Sequence, residues 1–250
     1  MRVRARYAKT GKLRFISAID LGRVWERALR KADLPIAYSE GFSPHPKVSF
    51  AEALPLGYAS VGEYAELTFA TALPLDPAMA ALNAAFPEGL RVLAAQEAPE
   101  GAAKLAKRLQ ASCWELEYPA EVEPDVLERA VEASLAADRL PVARERKGET
   151  TTVDLRPALH VLAAEGRLVR AVLHHVEPQV RPSELHDALR LASAGAHALA
   201  DPLLVTRIAQ GLPMAGGLEE ALDSGLVLVA RDDAGTPPIS VASVLQKANS

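Results

Sequence analysis

The chain has 250 residues and a mass of 26.7 kDa, enough for one large domain or two small ones with a real core. Hydrophobic residues make up 49% and charged residues 24%, which excludes a wholly disordered chain, and no apolar run reaches the roughly 18 residues of a membrane span. The net charge of −4 conceals an asymmetry, because residues 1–47 hold eleven Lys and Arg against four Asp and Glu.

The opening residues Arg2-Val3-Arg4-Ala5-Arg6-Tyr7 alternate strictly, which predicts a strand with Val3, Ala5 and Tyr7 inward and three arginines on the opposite face. That alternation is not the unbroken apolar run of a signal peptide, so a cytoplasmic protein is expected. Residues Lys9–Lys12 read as a loop. Ser17 is placed to cap a helix over 18–32, with Asp20 in its first turn. Leu21, Val24, Trp25, Ala28 and Ala32 form the buried stripe of that helix, and Arg23, Arg27 and Arg30 line another face. Between Asp33 and Pro46 the periodicity lapses into a proline-punctuated loop. Strands follow at 47–53 and 61–70, then a helix with Asp76 as cap and Pro77 at its first position. Pro87 and Gly89 stop that helix before a strand at 90–98.

This order is a ferredoxin-like split βαβ unit, and the following residues repeat it: strand 109–118, helix from Pro124, a hairpin of 140–146 with 150–155 around Lys147-Gly148, a helix from Pro157 to Gly166, and strand 168–176. The expected architecture is α+β, with a first unit over 1–98, a second over 101–176 and a C-terminal extension over 177–250. Within that extension 183–192 reads as a short helix, 203–208 as a strand, and 225–230 and 239–245 as short apolar runs.

Cys113 is the single cysteine, so the chain cannot form an internal disulfide, a four-cysteine zinc site or the three-thiolate seat of an iron–sulfur cluster. No cofactor is therefore expected on this chain, and cluster chemistry would need another protein. No phosphate-binding glycine loop, hydrolase serine elbow or zinc-helix motif occurs. His174 and His175 are neighbours on a strand and point to opposite faces, which disfavours chelation of one metal.

Two features carry chemistry. Three guanidiniums on one strand face repel each other unless carboxylates or a polyanion offset them, and arginine pairs with phosphate in charge-assisted, bidentate fashion. Arg2, Arg4, Arg6, Lys9, Lys12, Arg14, Arg23 and Arg27 are the expected RNA-backbone contacts. Phe15 falls in a loop and Tyr7 on the inward face, so the strand face lacks aromatics for stacking bases. The second feature is the stiff segment Gly41-Phe42-Ser43-Pro44-His45-Pro46-Lys47, whose prolines restrain their neighbours and hold an imidazole beside a lysine. It suits a substrate or partner loop, with His45 as the one candidate acid or base; a plain rigid turn is the competing reading.

Residues 7–67 resemble the radical-SAM-linked domain of unknown function, whose members show K-x-G-x-L-R-F-x-S-H-L-D, an R-A-x-R-R-A helix and a G-F-N-P-H-P loop. VDLRP at 153–157 and RPSELHDAL at 181–189 extend the likeness. Here the motif reads Ser17-Ala18-Ile19-Asp20, with alanine in place of the first histidine, while His45 is retained and Ser43 replaces asparagine. The resemblance implies a companion of a separate radical SAM protein in RNA maturation or modification. A non-catalytic, RNA-facing accessory role is the leading expectation. A metal-independent RNA-processing enzyme using His45, or a protein–protein scaffold, are the alternatives.

Overall fold

The computed structural model describes residues 1–193, 199–222, 226–229, 238–239 and 241–247. The chain divides into two compact units. One comprises Met1–Arg108 with Ala221–Ser224 and Val241–Ser250, and the other Leu109–Glu220 with Gly225–Ser240.

In the first unit β1 (Arg2–Lys9), α1 (Ala18–Lys31), β2 (Val48–Phe50), β3 (Ala59–Thr68), α2 (Leu75–Ala85) and β4 (Leu90–Glu97) follow the expected order. The strands line up as β4-β1-β3-β2, with β1 antiparallel to both neighbours, which is the split βαβ arrangement. Periodicity decides the packing: Val3, Ala5 and Tyr7 are at most 2% exposed and meet Leu21, Trp25 and Leu29 of α1 and Met79 and Leu82 of α2. Trp25 is the hub of an aromatic cluster, edge-on to Tyr7 at 5.1 Å, Phe50 at 5.6 Å and Phe86 at 4.9 Å. Ser17 caps α1 as expected, its hydroxyl accepting from the Asp20 N–H at 3.1 Å and donating to the Asp20 carboxylate at 2.8 Å. The expected loop after β1 is a 3₁₀ turn at Gly11–Phe15. A short α5 (Val241–Lys247) closes this unit's share of the chain.

The second unit departs from expectation in two places. Residues expected to form a helix from Pro157 are instead β8 (Leu159–Glu165), which pairs antiparallel with β9 (Leu168–His174). LHVLAAE is rich in helix formers, but Gly166 with φ 58° opens a two-residue hairpin loop, and pairing along β9 overrides local propensity. Residues 177–220, expected as part of a C-terminal extension, belong instead to the second unit. After β5 (Ala111–Glu117) and α3 (Pro124–Ala136), the unit is completed by α4 (Pro182–Ala192) and β10 (Leu204–Met214), giving the order β10-β5-β9-β8. That is again the split βαβ arrangement, with the hairpin of β6 (Pro141–Arg146) and β7 (Glu149–Asp154) inserted between α3 and β8. This hairpin is where the sequence placed it, and Lys147 and Gly148 both adopt the positive φ that its two-residue turn demands.

Arg144 anchors the hairpin to α4 through a bidentate pair with Glu184 at 2.5 and 2.7 Å. Beyond β10 the chain returns as β11 (Gly217–Glu220) and β12 (Leu226–Leu228). The expected apolar runs at 225–230 and 239–245 fall partly outside the described residues. Among the described residues no helix is long and apolar enough to cross a membrane.

Candidate nucleic-acid interface

The arginines of β1 do leave the core side together, but they do not form an open platform. Arg4 is 4% exposed. Its guanidinium bonds the Ala103 carbonyl, and its Nε lies 3.4 Å from the Glu66 carboxylate directly across the β1–β3 register. Arg2 donates to the Ala102 carbonyl at 2.8 Å and lies 3.7 Å from the same carboxylate, while Arg6 donates to the Val61 carbonyl at 2.9 Å. Glu66 also accepts from the Leu105 N–H at 3.2 Å, with Leu105 itself buried. The segment around 102–105 therefore lies on the polar sheet face and closes it. Lys9 is 2% exposed and donates to the Ile16 carbonyl at 3.0 Å. The expectation that Arg4 and Lys9 contact RNA is thereby corrected. Buried guanidinium and ammonium groups require internal acceptors, and carbonyls and Glu66 supply them.

The second unit treats its own polar face similarly. Arg170, 3% exposed, bonds Glu115 at 2.7 Å and Glu165 at 2.9 Å. Burial is the main influence on Glu115 and pushes its carboxyl above the ordinary glutamate value despite Arg170.

Of the expected RNA contacts, Lys12, Arg23 and Arg27 are exposed, on the 3₁₀ turn and α1. Between residues 11 and 32 the chain has six basic residues and two acidic ones. Arg23 pairs with Asp20 at 3.2 Å and Arg30 with Glu26 at 2.9 Å, both exposed and worth little. Lys12, Arg27 and Lys31 are exposed and have no carboxylate partner among the described residues. Arg14 is set apart by its neighbour: its guanidinium carbon lies 4.7 Å from the centroid of the Phe15 ring, which is 61% exposed. Ile19, 71% exposed, lies in the first turn of α1. The sequence left Phe15 in a loop without a role, and its only signal was its place between Arg14 and the Ser17 cap.

The Gly41–Lys47 loop is held as a closed turn. Ser39 N–H donates to the His45 carbonyl at 2.8 Å, the His45 N–H donates to the Ser39 hydroxyl at 3.0 Å, and Lys47 N–H donates to the Ala37 carbonyl at 2.7 Å. Phe42 at its tip is fully exposed, and Ser43, Pro44, His45 and Lys47 are exposed with it. The His45 ring has no hydrogen-bond partner among the described residues, so no dyad orients it as an acid or base. Ala18 lines a cavity of about 80 Å³ together with Tyr7, Lys9, Leu21 and Glu63 among others.

Among the described residues no three His, Cys, Asp or Glu side chains gather as a metal site. His174 and His175 diverge as the alternation requires. His174 meets His160 edge-on at 4.8 Å, and His175 is held by the Ser112 hydroxyl at 2.7 Å and the Leu109 carbonyl at 2.9 Å.

Residues 2–182 match a family described as "Uncharacterized protein conserved in bacteria (DUF2344)". No curated protein matches the chain. Among solved structures, the first two RRM domains of the yeast poly(U) binding protein Pub1 are similar over 83% of this chain and 98% of that one, at 9% identity and a TM-score of 0.21. A likeness at that score supports no argument about function.

Proposed function

The chain belongs to the uncharacterized bacterial family DUF2344, and from that premise we propose a non-catalytic, RNA-facing accessory protein that serves a separate radical SAM enzyme in RNA modification or maturation. The radical SAM part is supported by the resemblance carried by residues 7–67, and with Cys113 alone and buried, a cysteine-held cluster belongs to the partner in this reading. The RNA part is carried by one observation: the Arg14 guanidinium stacked on the exposed Phe15 ring, in a turn that leads into an α1 whose Arg27, like Lys12 of the turn, is exposed with no carboxylate partner among the described residues. An arginine-backed aromatic surrounded by positive charge suits a single strand, with one base on the ring and phosphates along Lys12, Arg23 and Arg27. The interface in this reading lies on the 3₁₀ turn and α1 rather than on the β1 face.

Anisotropy of a labelled oligouridylate tests it. Binding is expected to weaken steeply between about 50 and 200 mM salt through counterion release. Phe15→Ala should weaken it roughly 5- to 100-fold, the loss of one stacked base. Arg23→Ala with Arg27→Ala should weaken all sequences alike and flatten the salt slope by about one per lost phosphate contact. Absence of binding at low salt, or indifference to all three changes, overturns the proposal. Incubation with RNA in EDTA is expected to show no cleavage by wild type or His45→Ala; cleavage that depends on His45 would replace the accessory role by an enzymatic one.

A further inference from the structure

The closure of the first unit's polar sheet face is incomplete at its β2 edge. A groove of about 520 Å³ remains there, lined by Arg2, Lys47, Phe50, Glu66, Thr68 and Lys104 among others. Its charges do not balance. Glu66 is the one carboxylate in the lining, and it is already engaged by Arg4 at 3.4 Å, Arg2 at 3.7 Å and the Leu105 N–H at 3.2 Å. Lys47 and Lys104 are exposed and have no carboxylate partner among the described residues. Arg2 is 38% exposed, and its bond to the Ala102 carbonyl at 2.8 Å fixes the guanidinium in place.

Three cations thus surround a space with spare hydroxyl donors on Ser49 and Thr68 and apolar wall from Phe50, Leu105 and Ala106. Uncompensated positive charge in a partly shielded cleft attracts a multivalent anion, and a fixed arginine beside two flexible lysines matches phosphate oxygens. The apolar wall and the volume leave room for more than a bare ion.

We propose that this groove binds a phosphate monoester carried on a nucleoside-sized group. The shared chemistry has two sources, a free nucleoside monophosphate or the terminal phosphate of an RNA. Only the second rests on the RNA reading above.

Calorimetric titration of the full chain with uridine 5′-monophosphate and with uridine tests the claim, and 5′-phosphorylated and 5′-hydroxyl oligouridylates separate the sources. The nucleotide should bind at least about tenfold tighter than the nucleoside, since charge-assisted bonds to the phosphate supply the difference. The double variant Lys47→Ala with Lys104→Ala changes two exposed side chains and should keep the wild-type Tm while losing about tenfold or more of nucleotide affinity. Arg23→Ala with Arg27→Ala should leave nucleotide binding untouched, so failure of the α1 interface and failure of this groove are read separately. A 5′-phosphate preference among the oligonucleotides that disappears in the lysine variant identifies an RNA terminus, and nucleotide binding without it identifies a free nucleotide. Equal binding of phosphorylated and unphosphorylated ligands of both kinds, or affinity unchanged in the lysine variant, overturns the proposal.

Discussion

Glu66→Gln would expose the cost of closing the β1 face. The change keeps an oxygen to accept from the Leu105 N–H at 3.2 Å, but removes the charge facing Arg4 at 3.4 Å and Arg2 at 3.7 Å. Arg4 is 4% exposed and has no other carboxylate among the described residues, so its guanidinium is left buried with the Ala103 carbonyl. Breaking a buried pair by removing one partner costs about 3–5 kcal/mol. The long contact and the 15% exposure of Glu66 argue for a value at or just below the lower limit of that range, about 2–3 kcal/mol. For a chain of this length that corresponds to a Tm lowered by roughly 5–10 °C.

Urea unfolding at neutral pH measures the loss, and amide exchange should show faster opening over 102–106, the segment held by these side chains. Adding Arg4→Met removes the orphaned charge and should bring stability back to within about 1 kcal/mol of wild type. Glu66→Gln within about 0.5 kcal/mol of wild type, or a double variant as unstable as the sum of the singles, refutes the reasoning.

Trp25→Ala should cost about 3–5 kcal/mol in denaturant unfolding, whereas Trp25→Phe should cost far less, because the indole Nε1 is buried without a partner among the described residues and its loss offsets part of the cavity. Gly211→Ala should prevent the β10–β11 pairing, since a Cβ there would lie 1.8 Å from the Glu219 carbonyl oxygen; a variant that folds with wild-type Tm contradicts this. Arg144→Ala should release the β6–β7 hairpin from α4, seen as protease cleavage near Lys147, because Glu184 loses both bonds of its bidentate pair. His186, 6% exposed between the Tyr118 hydroxyl and Asp201, is held below the ordinary histidine value of 6.5 chiefly by burial, against the opposing pull of Asp201 and Asp187. The unfolded chain therefore binds that proton more tightly. Stability should be full above about pH 6.5 and fall as the pH drops below it, with the slope flattened by His186→Gln.

Several local patterns were read correctly, although α2 starts at Leu75 with Pro74 at its N-cap rather than at Asp76 and Pro77 as expected. The alternation of β1 placed Val3, Ala5 and Tyr7 inward, Ser17 announced the start of α1, and Lys147-Gly148 marked the tip of the β6–β7 hairpin. Gly166 was read as a helix stop when it is a hairpin turn, because LHVLAAE fits a short buried helix and a strand equally well and only the pairing with β9 decides between them. The role of 182–214 was missed for a related reason: α4 and β10 complete a sheet whose other strands lie far earlier in the chain.

The candidate site divides along the same line. Which residues are basic, which face of β1 they occupy and which helix face carries Arg23 and Arg27 follow from composition and period alone. What covers them does not, because periodicity records only that a residue leaves the core side, while exposure depends on chain from elsewhere. Ala102, Ala103 and Leu105, about a hundred residues downstream of β1, convert an apparent anion platform into a closed face and leave cations open at α1 and at the β2 edge. Sidedness is a property of neighbours in sequence, and accessibility is a property of neighbours in space.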